Sequence, residues 1–70
     1  MPTNQKYSAR IHSIRQLKSA SEHVRAASII LLEIGLRYKD ALPQVSLACE
    51  KLNEMVVMSD AMITDIRDNI

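Results

Sequence analysis

From Leu42 onward, apolar or small residues return at every third or fourth position: Leu42, Val45, Cys49, Leu52, Val56, Ser59, Ile63, Ile66 and Ile70. That spacing draws a heptad seam along one side of an α-helix and does not suit a strand, whose side chains change face at every residue. A second stripe, Ala48, Met55 and Met62, runs beside it at intervals of seven. The upstream half carries its own stripe at steps of three and four: Tyr7, Ile11, Ile14, Leu17, Ser21, Val24, Ser28, Leu31, Ile34 or Gly35, and Tyr38. Two amphipathic helices and an all-α fold are the expectation.

Turn chemistry falls between the two patterns. Gly35, the only glycine, suits a left-handed helix cap, and Asp40 suits an N-cap. Pro43 is tolerated only in the first turn of a helix, since a proline inside a continuous one costs about 3 kcal/mol. One domain over 1–70 is therefore expected, with helix one over about 5–35, a turn over about 36–41 and helix two over about 42–68. Thr3 and Asn4 are plausible caps for the first helix. Whether that helix runs straight or carries a short, kinked N-terminal segment is open.

The two stripes on helix two set a harder constraint. One partner helix covers one seam, not two, and 70 residues with no Trp or Phe offer little else to bury the second. A lone hairpin would leave an apolar patch of the size that marks an interface. Scaffolds this small, without disulfide or metal, commonly oligomerise. The expected architecture is an antiparallel helical hairpin that builds a homo-oligomeric helical bundle through Leu52, Met55, Val56, Met62, Ile63 and Ile66. The single Cys49 can make no internal disulfide, the apolar run at 26–32 is too short for a membrane span, and residues 1–10 lack the apolar core of a signal peptide. A cytoplasmic chain without membrane partners is the expectation.

Charge is unevenly placed. Residues 1–40 carry seven cations against three acids, and residues 41–70 carry two against five, so the halves stand at +4 and −3 and the whole at +1. Opposite fields side by side favour an antiparallel pairing modestly, and a near-neutral total argues against a nucleic-acid polymer as partner. No catalytic group stands out, and no cofactor is implied. His12 and His23 are about three turns apart and cannot share a metal. Cys49 sits on the seam as a packed thiol, Glu50 and Glu54 read as a solvated i,i+4 pair, and no glycine-rich phosphate loop exists. The two tyrosines differ, because each lies among cations: Lys6-Tyr7 with Arg10, and Arg37-Tyr38-Lys39. Such a ring can stack on a base while its neighbours pair with phosphate, or it can be an ordinary interface residue; both readings stand.

On helix two, Ser46-Leu47-Ala48-Cys49-Glu50-Lys51-Leu52-Asn53-Glu54-Met55-Val56-Val57-Met58-Ser59-Asp60-Ala61-Met62-Ile63 resembles a signature of small bacteriophage proteins, S-L-A-L-T-K-L-E-E-A-V-M-W-A-N-A-A-I. Ser46, Leu47, Ala48, Lys51, Leu52, Glu54, Val56, Ala61 and Ile63 fall on matching positions, and Tyr7 with Ile14-Arg15 looks like the R-Y-x-x-I-R stretch that opens the same hairpin. The signature belongs to phage sponges that sequester the cyclic nucleotides of the CBASS and Thoeris defences. Met58 stands where the family has tryptophan, Asp60 where it has asparagine, and Pro43-Gln44-Val45 where it has R-E-K.

The resemblance implies a non-enzymatic oligomer that holds a cyclic di- or trinucleotide between protomers in the host cytoplasm. Tyr7 would stack, and Arg10, Arg15 and Lys18 would meet phosphate, with Tyr38 and the matched Lys51 as further ligand contacts. The rival expectation is a protein-interaction module, an adaptor, co-chaperone or inhibitor, that lays an apolar helix face on a host protein.

Overall fold

The structure is a computed structural model that describes the backbone of residues 2–70 and the side chains of residues 8–70. It is an all-α antiparallel hairpin: α1 spans Pro2–Arg37 and α2 spans Pro43–Asp68. α1 is one continuous helix of 36 residues, so the Ala–Ser cluster at its centre introduces no break. The molecule measures 61 × 15 × 10 Å, and its radius of gyration of 17.0 Å compares with about 11 Å for a compact chain of this length.

The connection differs in detail from the sequence expectation. Gly35 is not a cap: it has no positive φ, and α1 continues for half a turn beyond it. Its role is steric. A Cβ there would stand 3.6 Å from the Cys49 Cβ and 3.8 Å from the Ser46 carbonyl oxygen, so glycine marks the close approach of the two helices. Nor does Asp40 cap α2. Leu42 occupies the N-cap with no side-chain hydrogen bond, and Pro43 follows at the first helical position. Proline carries no N–H, which removes one of the donors that a capping carboxylate would otherwise satisfy. The turn is closed by main-chain bonds, among them Leu42 N–H to the Tyr38 carbonyl at 2.9 Å.

The α1 side of the seam follows the three-four stripe: Ile14, Leu17, Ser21, Val24, Ser28, Leu31 and Ile34 are half-buried, and Gly35 is the one buried residue among those whose side chains are described. α2 is turned from its expected setting. Ser46, Cys49, Asn53, Val56, Asp60 and Ile63 face α1, while Leu52, Ser59 and Ile66 lie on the shoulder, exposed. Both tracks share Cys49, Val56 and Ile63; they differ in which neighbouring heptad position completes the seam. The hydroxyls of α1 decide it. Ser21 donates to Asp60 Oδ1, and Ser28 donates to Asn53 Oδ1 at 2.5 Å. Two half-buried polar rungs thus alternate with apolar layers built from Leu17, Val24, Val56 and Ile63, and each buried polar group finds a partner.

The seam hides little. Among the described residues no apolar side chain is fully buried. The chain exposes 5764 Å², against about 4,400 Å² for a folded monomer of this mass. No helix among the described residues is long and apolar enough to cross a membrane.

Candidate functional site

Two surfaces stand out. The first follows from the turning of α2. Ala48, Leu52, Met55, Ser59, Met62 and Ile66 form an unbroken heptad track beside the seam, and Leu52, Met55, Met62 and Ile66 are 47, 63, 62 and 50% exposed. Ser13, Ala20, Ala27 and Ile34 make the corresponding track on α1. An open trough of about 610 Å³ runs between them at the open end of the hairpin, with Ser13 and Ala20 on one wall and Ile66 and Ile70 on the other. The two tracks together hold no charged residue. Of the residues expected at an oligomer interface, Leu52, Met55, Met62 and Ile66 belong to this face. Val56 and Ile63 lie in the seam against α1 instead, because Asn53 and Asp60 rotate α2 to meet the serines.

The second surface is the cationic open end. Arg10 is exposed and donates from Nε to the Ile70 main-chain oxygen at 2.8 Å, tying the end of α2 to α1. Arg15 and Lys18 are exposed within the next two turns, and among the described residues neither enters an ion pair. Beside Lys18 an open hollow of about 250 Å³ collects Ser21, Glu22, Arg25, Thr64 and Arg67. Arg25 pairs with Asp60 at 3.3 Å and Arg67 with Asp68 at 3.5 Å, so two of these cations are already partly neutralised. Asp60 has its carboxyl held below the usual range, first by the Ser21 hydrogen bond, against some desolvation, and then by Arg25. Arg25 was within reach of sequence reasoning, since it stands one heptad after Lys18 on the same track. Arg67 has no such signal.

The other expected ligand contacts are scattered. The Tyr7 side chain lies outside the described residues. The Ser28–Asn53 rung sets Lys51 level with Ile30, toward the outer edge of α2. Tyr38 is in the turn at the opposite end, 28 residues or about 42 Å of helix from Arg10. One protomer holds Arg10, Arg15 and Lys18 at one end, with Arg10 on the trough and Lys18 on the hollow at the other side of the hairpin, and leaves Lys51 and Tyr38 apart. Cys49 is a half-buried free thiol in the seam. His12 and His23 are exposed, and His23 donates from Nδ1 to the Ser19 carbonyl of its own helix at 2.6 Å.

Among known proteins, no family model, no curated sequence and no solved structure matches the chain.

Proposed function

We propose that this chain acts by binding rather than by turnover: it self-associates through the uncharged face of α1 and α2 and sequesters a cyclic di- or trinucleotide between its copies. The observation that carries the reading is that face, four heptad positions on one helix and six on the other without a charge, with Arg10 lining its open end and Arg15 and Lys18 at the same end on the other side of the hairpin. A hairpin in which no apolar side chain among the described residues is fully buried gains its core by association. Symmetry then repeats each cation around the assembly, so two or three per chain suffice for a ligand with several phosphates. The choice of a cyclic nucleotide rests on the resemblance of residues 46–63 to phage sponges, which also places the protein in the cytoplasm of an infected cell.

Calorimetry of the folded assembly against a panel of cyclic di- and trinucleotides tests it. The expected result is saturable binding with less than one ligand per chain, lost in Tyr7→Ala or Arg15→Ala with helicity unchanged. No heat with any member of the panel overturns the nucleotide reading and leaves the association to be judged separately.

A second reading, a module that docks on a host protein, is favoured by the outer edges of the hairpin. Leu47 and Met58, 52 and 66% exposed, lie on the side of α2 away from the seam. A chain that stays monomeric and folds only with a partner would select it.

A further inference from the structure

A second apolar patch lies on the opposite side of the hairpin, at its turn end. Ile29, Leu32 and Leu36 of α1 and Val57 of α2 are 59, 52, 73 and 56% exposed. Beside them is an open hollow of about 250 Å³, lined by Leu32, Gly35, Leu36 and Cys49 and rimmed by Lys39 and Glu50. Its side is fixed by helix geometry: Ala48 and Glu50 stand roughly 100° to either hand of Cys49, which faces α1. Glu50 rims this hollow, and Ala48 belongs to the uncharged face. A copy seated on the uncharged face cannot reach the patch, because the hairpin itself lies between.

The exposed area asks for two partners. The 5764 Å² of the free chain exceeds the monomer expectation by about 1,400 Å², and a standard interface hides only about 800 Å² per partner. The rim points to what covers the remainder. Lys39 and Glu50 flank the hollow, and among the described residues neither forms an ion pair. A two-fold axis through the patch would set the cation of one copy against the acid of the other, so the patch is complementary to itself.

We propose that this patch is a second self-interface, in which Leu36 of each copy enters the Gly35 hollow of the other and Lys39 meets the opposite Glu50. Two dimers built on the uncharged face then join through one patch each into a tetramer, and its two outer patches, facing away from each other, can take further dimers. The tetramer, though not the patch, rests on the self-association proposed above.

Native mass spectrometry of the full chain, with helicity monitored by circular dichroism, tests the patch. The expected mass is at least four times 7.9 kDa, rising in steps of two chains. Lys39→Glu should reduce it to two chains, and Lys39→Glu with Glu50→Lys should restore four or more. Met62→Glu, on the other face, should also leave two chains, now held by the patch. A wild-type dimer that Met62→Glu splits and Lys39→Glu does not overturns the patch and leaves the first face standing. A wild-type dimer with the reverse sensitivities supports the patch and overturns the first face. A folded monomer overturns both.

Discussion

Ser28 donates a hydrogen bond to Asn53 Oδ1 in the middle of the seam, and this pair, with Ser21 and Asp60 one heptad away, fixes which side of α2 faces α1. The more apolar option was available. Turned by one residue, α2 would present Leu52, Ser59 and Ile66, but it would leave the two α1 hydroxyls without partners. An unmade hydrogen bond in a half-buried site costs about 1–3 kcal/mol, and two of them outweigh the extra apolar contact of a seam that remains partly open to water. The displaced Leu and Ile side chains become surface for another chain.

Asn53→Ala should therefore lower stability by about 1 kcal/mol, because Ser28 loses its acceptor. Ser28→Ala with Asn53→Ala should cost less than the two single changes added together. Urea titrations at one fixed chain concentration check this; strict additivity would mean the rung is not formed in solution. Asn53→Leu should instead raise the melting temperature while admitting a second helix register, visible as doubled amide resonances.

Asp60 gives the fold a pH dependence of known sign. Its folded carboxyl titrates below the ordinary aspartate value because Ser21 and Arg25 favour the charged form. The stabilisation is then present above about pH 4, where an unfolded aspartate ionises, and is lost as pH falls through the lower, folded value. The difference in melting temperature between wild type and Asp60→Asn should shrink steadily from pH 5 downward. A difference that does not change with pH contradicts the assignment.

Gly35 reads as a contact position, not as a cap. Its φ is not positive, and a methyl group would meet Cys49 and Ser46 at ordinary van der Waals separation. Gly35→Ala should be neutral or stabilise by up to about 1 kcal/mol through helix propensity. Gly35→Leu should separate the helices and lower the melting temperature sharply. Equal loss from both substitutions would show that the glycine is needed for a bent or left-handed backbone.

Periodicity made the hairpin legible before any coordinates. Two three-four stripes and Pro43 give the two helices and their order, and the α1 stripe from Ile14 to Gly35 is the observed seam. The rotation of α2 was not legible, because the rule that apolar residues face inward ranks Leu52 and Ile66 above Asn53 and Asp60. Only the pairing of those polar groups with Ser28 and Ser21, which are distant in sequence, reverses the order. The ends of the turn were misread for a related reason: Gly35 and Asp40 have cap chemistry, but close packing claims the first and Pro43 makes the second unnecessary. The cations of the open end were visible as residue types. That Arg10, Arg15 and Lys18 share one end while Tyr38 and Lys51 do not is a consequence of the length of α1.

Leu52→Asp separates the two settings of α2. In the seam it would place an unpaired charge inside the hairpin. On the shoulder, where Leu52 is 47% exposed, the charge is buried only when a second copy covers it. Association should weaken by on the order of 3 kcal/mol, roughly a hundredfold, with helix lost on dilution. An assembly indifferent to Leu52→Asp would place the interface elsewhere.

Sedimentation equilibrium of the purified 70-residue chain at micromolar concentration bears most directly on the claim that this hairpin obtains its core from other copies of itself. A single helical species at a multiple of 7.9 kDa is the predicted result. A stable, fully helical species at 7.9 kDa would contradict it.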